Sequence, residues 1–271
     1  MTTGHDGETL TAAIAAVLSV TGAVDKADAT RRLHLAYRAG QYPVRGQTRP
    51  PDRPARPARP VLLPPRDMPK RRRAGTDATR IALIHAVAHI ELNAIDLALD
   101  LVARFATPEM PEAFIADWLK VADDESRHFL MLQDRLQALD ATYGDLPAHD
   151  GLWEAAMATS GDILARIAVA HMVLEARGLD VTPAMIARFT RLGDAETARV
   201  LKVIYDDEIT HVATASDWFT RLTGLSGPAR DRRWQELVRQ GFRGRLKPPF
   251  NAVARRAAGM EPGMYEPLAG E

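Results

Sequence analysis

Apolar residues recur at helical spacing along most of the chain. From about Glu8 to Ala39 they fall at Leu10, Ile14, Val17 and Leu18 and then through Ala27 to Ala39, which predicts two short helices. From Thr76 to about Leu222 the helical period is nearly continuous and breaks only where proline and glycine gather. The breaks predict four long helices. They run from Asp77 to Phe105, closed by Ala-Thr-Pro; from Pro111 to Thr142, closed by Tyr-Gly-Asp-Leu-Pro; from about Gly151 to Arg177, stopped by Gly178; and from Asp194 to Leu222, closed before Thr-Gly-Leu-Ser-Gly-Pro. A connector, Leu179 to Gly193, contains Pro183 and one short helix. Helices of roughly 25 to 30 residues, each about 40 Å long, suit an antiparallel four-helix bundle. No strand-like alternation of comparable length occurs, so the expected fold class is all-α.

Two segments stand outside this pattern. Between Arg45 and Arg73 there are eight prolines and ten basic residues against two acidic ones, ending in the run Lys70, Arg71, Arg72, Arg73. So many prolines forbid a regular helix and predict an extended strap. After Gly227 a helix from Arg230 to Gln240 leads into a basic, proline-containing tail, expected to wrap on the bundle because Trp234, Phe242, Phe250 and Tyr265 would otherwise be exposed. The resulting organisation is an N-terminal helical segment (1–44), the Pro/Arg-rich strap (45–75), the bundle (76–223) and a C-terminal extension (224–271).

Composition narrows the chemistry. The 271 residues include no cysteine, which excludes disulfides, thiolate nucleophiles and thiolate-ligated clusters, and fits a reducing cytosol. The formal net charge is zero, so no global field argues for nucleic acid or membrane. The apolar run Leu10 to Val24 is interrupted by Thr and Ser and lacks a basic flank, and it reads as a helix, not a signal peptide or membrane span.

The sequence Asp-Asp-Glu-x-x-His occurs twice, at Asp123 to His128 and at Asp206 to His211. Glu and His three residues apart project from one face of a helix. A di-metal carboxylate site in a bundle needs such a pair from two helices and one Glu from each of the other two. Glu91 on the first long helix, Glu125 and His128 on the second, Glu175 on the third, and Glu208 and His211 on the fourth supply that set, with Glu91 to Glu125 spanning 34 residues and Glu175 to Glu208 spanning 33. Two divalent cations would balance the four carboxylates, and oxygen and nitrogen donors without thiolate suit iron or manganese better than zinc. Asp124 and Asp207 each precede a motif histidine by four residues and are expected to accept a hydrogen bond from it.

This arrangement resembles the ferritin-like di-iron carboxylate superfamily. More closely, Ala88-His89-Ile90-Glu91-Leu92-Asn93-Ala94-Ile95-Asp96, the strap segment Pro54-Ala55-Arg56-Pro57 and the tail Phe250-Asn251-Ala252-Val253-Ala254-Arg255 look like a bacterial ferritin-like family, domain of unknown function 455, over nearly the whole chain. That family is similar in motif to the tRNA isopentenyladenosine hydroxylases, which use two irons and oxygen. The resemblance implies a ferritin-like bundle and two iron ions, with dioxygen as co-substrate. It carries no substrate.

Neighbouring residues have two readings each. His85, His89 and Asp96 compete with Glu91 as ligands, but His89 lies two residues away and points nearly opposite, and Asp96 is shorter and five residues off. His171, four residues before Glu175, is an extra ligand, a supporting donor or a hydrogen-bonded core histidine. Tyr205, three residues before Glu208, is a donor or redox neighbour, or a core aromatic with a partnered hydroxyl. Ala88 and Ala94 leave room beside Glu91 or simply let helices approach, and Arg127 reads as an ion-pairing residue. The strap could contact phosphates, yet its prolines and lack of interleaved aromatics favour packing against acidic faces of the bundle or of a second subunit.

The expected protein is therefore a cytoplasmic monomer or homodimer, an oxygen-activating di-iron (or manganese-containing) oxidase or hydroxylase with a small-molecule substrate and an electron donor. A ferroxidase or iron-binding protein is the alternative, followed by a tRNA-modifying hydroxylase and a metal-free helical scaffold.

Overall fold

The computed structural model describes residues 9–69 and 76–270; the strap's basic run Lys70 to Arg73 and Glu8 lie outside them. The described residues are predominantly helical, with no strand and two isolated bridges. The fold is all-α. The chain forms two compact units, Met1–Trp153 and Glu154–Glu271.

In the first unit, α1 (Leu10–Leu18) and α2 (Ala23–Arg38) realise the two short helices read from the N-terminal pattern. The long helix α3 (Asp77–Phe105) starts at a reciprocal cap, in which the Thr76 side chain accepts from Thr79 N–H and the Thr79 hydroxyl faces the Thr76 backbone. From Ile84 to Val102 α3 is buried on almost every side, which makes it the central helix of its unit. It is also the one described helix long and apolar enough to cross a membrane, but that same stretch buries His85, His89, Glu91, Asn93, Asp96 and Asp100. A turn after Phe105 folds α4 (Glu112–Gln137) back along α3, and α1 and α2 pack on the pair. The expected extension of α4 to Thr142 is corrected: the backbone turns at Asp140 (φ 55°), and Ala141 N–H returns to the Leu136 carbonyl at 2.9 Å.

The described part of the strap, residues 45–69, is extended apart from one 3-10 turn at Pro65–Asp67, as its prolines require. It is tied down by its own unit. Ala55 N–H donates to the Leu18 carbonyl (2.8 Å), Arg45 donates to the Thr107 carbonyl (2.7 Å) and Glu112 (2.9 Å), and Arg53 pairs with Asp150 (2.5 Å). Arg45, Arg53 and Arg56 of the strap thus each meet an acidic group of this unit.

The second unit departs further from the periodicity. One helix was expected from Gly151 to Arg177. Instead α5 (Gly151–Ala158), which straddles the boundary, stops before Asp162, whose carboxylate accepts from Leu164 and Ala165 N–H and caps α6 (Ile163–Arg166). The chain then widens into a π-helical stretch, Ile167–Leu174, before α7 (Ala176–Arg191). The expected stop at Gly178 and the separate connector helix are also corrected, because α7 runs through Gly178 and Pro183. Pro183 has no N–H for the carbonyl of Leu179, four residues earlier, and that carbonyl accepts from Asn251 Nδ2 at 3.1 Å instead. A partner 72 residues downstream makes good the helix's missing bond.

Asp194 caps α8 (Ala195–Thr223), and Gly224, at φ 65°, ends it. The tail forms α9 (Gly227–Gly241), α10 (Ala252–Ala257) and α11 (Pro262–Tyr265), which pack within the unit and bury Trp234 and Tyr265 completely.

Candidate metal centre

In the first unit the middle of α3 faces the middle of α4. Glu91 comes from α3; Glu125 and His128, three residues apart, come from one face of α4. His128 Nδ1 lies 3.2 Å from Glu91 Oε2 and 3.3 Å from Glu125 Oε2, with the imidazole fully buried and the carboxylates almost so. One ligand atom from each of the three falls within 4.8 Å of the others. This buried Glu/His group can hold a metal ion. Adjacent ligands around an octahedral ion at about 2.1 Å lie about 3 Å apart, close to what the side chains adopt. Two carboxylates taken out of water beside a neutral imidazole also match the charge of one divalent cation. The donor set fits a hard or borderline metal.

The residues that competed with Glu91 are engaged elsewhere in this unit. His89 Nε2 faces the His149 carbonyl at 3.0 Å, and a carbonyl only accepts, so Nε2 carries the proton. Nδ1 is then the acceptor for the Tyr143 hydroxyl at 2.8 Å. Burial drives the His89 pKa down to about 4, which keeps the ring neutral. His85 Nε2 accepts from Gly144 N–H (2.9 Å), and Tyr143 stacks on the His85 ring. Asp96 is fully buried, accepts a hydrogen bond from Lys26 Nζ at 2.8 Å and is ion-paired with Arg56 Nη2 at 3.2 Å. Burial pushes its carboxyl pKa up, and the two cations oppose that shift. Asp124, expected to support His128, is held by Lys120 and by Arg127 (3.3 Å), so Arg127 is the ion-pairing residue it was read to be. Ala88 and Ala94 are both buried along α3.

In the second unit Glu175 sits where the π-helical stretch passes into α7. His171, fully buried, places Nδ1 2.7 Å from Glu175 Oε1, which gives the hydrogen-bonded core histidine a definite partner. On α8 the second motif sets His211 Nδ1 3.7 Å from Glu208 Oε1, both buried, while Asp207 is half-buried. The Tyr205 hydroxyl accepts from Asn251 Nδ2 at 3.0 Å, so it is a partnered aromatic.

A model of the family described as "Protein of unknown function (DUF455)" matches residues 20–266. The chain belongs to this family. The matched span takes in both Asp-Asp-Glu-x-x-His motifs, the strap and most of the tail. A protein of Haemophilus influenzae named "Uncharacterized protein" is 41% identical over 208 residues, which cover 75% of this chain and 72% of the relative. No solved structure matches.

Sequence reasoning passed over three side chains that organise this DUF455 chain: Asp180, Asn251 and Arg255. Arg255 donates Nε to Asp180 Oδ1 (2.9 Å) and Nη2 to Asp180 Oδ2 (2.7 Å), with both side chains buried. Its guanidinium lies over the Phe250 ring at 4.9 Å and the Tyr265 ring at 4.6 Å. The signal was present, since an Asp follows five residues after Glu91 and again five after Glu175.

Proposed function

We propose that this chain is a non-haem di-iron carboxylate protein of the ferritin-like kind, with manganese an acceptable substitute, and that it activates dioxygen to oxidise or hydroxylate a small organic substrate. The proposed ligands of two metal ions are Glu91, Glu125 and His128 in the first unit and Glu175, Glu208 and His211 in the second. The observation that carries the reading is the buried convergence of Glu91 and Glu125 on His128 Nδ1 at 3.2 and 3.3 Å. Support comes also from the second Asp-Asp-Glu-x-x-His copy, whose Glu208 and His211 are likewise buried. When bound, ferrous iron would pass electrons to dioxygen, and the organic substrate and an external reductant would supply the remainder. The protein's own part is to converge the two carboxylates, present His128 Nδ1 to the same point and keep bulk water away from it. A reducing cytosol, consistent with the absence of cysteine, suits ferrous loading.

Metal analysis of protein from iron-supplied cells should give about two metals per chain, lost or halved in Glu125→Ala. A wild-type protein free of iron and manganese, with a thermal midpoint unaffected by chelator, would overturn the proposal. Exposure of the anaerobic ferrous protein to oxygen then separates the activities. Repeated turnover with an organic substrate and a reductant supports the oxygenase, whereas release of ferric iron without substrate oxidation supports a ferroxidase.

A further inference from the structure

Each proposed Glu ligand on a single-Glu helix is followed five residues later by a buried Asp bound to an Arg from a distant, proline-flanked segment. In the first unit the pair is Glu91 and Asp96, with Arg56 from Pro54-Ala55-Arg56-Pro57; in the second it is Glu175 and Asp180, with Arg255, which follows Pro248 and Pro249. Five residues correspond to about 140° of rotation round a helix, so the Asp leaves from the side roughly opposite the Glu. Both Arg residues are reinforced. Arg56 Nη2 also donates to Asn93 Oδ1 at 2.7 Å, and Asn251 N–H joins Arg255 on Asp180 Oδ1 at 2.9 Å. Asn251 further bridges α7 to α8, donating Nδ2 to the Leu179 carbonyl and the Tyr205 hydroxyl. Leu179 follows Glu175 by one helical turn, and Tyr205 precedes Glu208 by one.

A buried ion pair adds little net stability over a well-packed apolar replacement, but it is demanding in geometry and destabilising to break. A turn of the helix by one residue would strand Asp96 or Asp180 away from its guanidinium while also swinging the Glu out of place. We propose that Arg56 and Arg255 are positioning residues: by holding the Asp on the reverse face, each fixes the rotation and height of the helix that presents Glu91 or Glu175. This rests on the di-metal reading, and the experiment separates the two.

The test uses the second unit, where Asp180 has one buried cation, Arg255, the half-exposed Arg177 lying farther off at 3.7 Å. The double variant Asp180→Leu/Arg255→Met leaves no orphaned charge and should keep its helicity and thermal midpoint. Mn(II) alone, titrated into the full chain and read by electron paramagnetic resonance, should bind roughly 10- to 100-fold more weakly at one site. A second readout needs no metal. Because the chain lacks cysteine, nitroxide labels on Ala184→Cys of α7 and Lys202→Cys of α8, both exposed, report the spacing of these helices directly. In the metal-free double variant that distance distribution should shift or broaden. Should the double variant fail to fold, Arg255→Lys keeps the charge without the fork, and a several-fold loss of Mn(II) affinity with a broadened distance is expected. Wild-type affinity and wild-type distances in the folded variant would overturn the positioning role. Absence of Mn(II) binding in the wild type would instead overturn the metal reading, while the label distance still decides whether Arg255 positions α7. Arg199→Ala, which removes an exposed pair with Glu196, should change neither.

Discussion

The glutamate-bearing helix of the first unit is one unbroken rod of 29 residues, capped at Thr76 and buried nearly all round. Its counterpart in the second unit is assembled in pieces: α6, a π-helical stretch, and an α7 that contains a proline. The first helix has much of its register written into its own hydrogen bonds and its burial, and the Asp96 pair with Arg56 adds to a helix already continuous. In the second, register depends on groups that arrive from the tail, namely Asn251 at the Leu179 carbonyl and Arg255 at Asp180. Two chemically similar Glu/His sets are thus presented by frameworks of different self-sufficiency.

Removing the acid from each ion pair is the strongest way to probe that contrast. Asp96→Ala would leave Lys26 and Arg56 buried without their carboxylate, a loss of about 4 to 5 kcal/mol. Asp180→Ala would strand one buried cation, Arg255, which keeps its two aromatic faces, together with the Asn251 N–H, while half-exposed Arg177 stays in water, and should cost about 3 kcal/mol. Urea unfolding of both variants measures the difference, and equal values would show that Lys26 contributes nothing separate.

The first unit should also carry a pH dependence through His89. Its folded pKa of about 4 lies below the 6.5 of a free imidazole, so the neutral form is favoured in the native state and its contribution is complete above pH 6.5. As pH falls from 6.5 towards 4 the unfolded chain takes up the proton first, and stability should fall by about 3 kcal/mol. Comparing urea midpoints of wild type and His89→Gln across that range isolates this share, which should vanish in the variant.

For the second unit, Asn251→Ala should cost about 1 to 3 kcal/mol by leaving the Leu179 carbonyl without its donor. Pro183→Ala restores an N–H to that carbonyl, so the Asn251→Ala penalty should shrink in its presence, and a double-mutant cycle measures the coupling. The smallest effect belongs to the rod. Thr76→Ala should lower stability by about 1 kcal/mol, since a single cap adds little to a helix already fixed by burial.

The same contrast decides how far the sequence could be read. The bounds of α3 were legible because a capping threonine precedes it and Ala-Thr-Pro follows it, and α8 was legible to within one residue from Asp194 and Gly224. Glu125 and His128 could be paired from the sequence because a spacing of three brings them to one face of α4, whereas the approach of Glu91 depends on how α3 packs on that helix. The third long helix was misread because Gly178 and Pro183 are local stop signals overridden by a tail residue that no short window contains. The true interruption, at Ser160-Gly161-Asp162, carried a turn and cap signature that was outweighed by the apolar residues on either side. Likewise Arg56 and Arg255 looked like members of basic segments, since nothing local distinguishes a guanidinium that will be buried on a carboxylate from one that stays in water.

The π-helical stretch from Ile167 to Leu174 has a consequence for how chain length can vary. A wide turn of this kind stores a residue beyond what an α-helix of equal rise would hold. Deleting one residue there can be absorbed by rewinding to α geometry, with α7 and Glu175 left in place. The same deletion in α3, between Ile84 and Glu91, would rotate everything upstream by about 100° against a core that surrounds it. Single-residue deletions are therefore expected to be survivable before Glu175 and lethal to the fold before Glu91, which makes the second unit the half of this molecule in which a ligand-bearing helix can shorten.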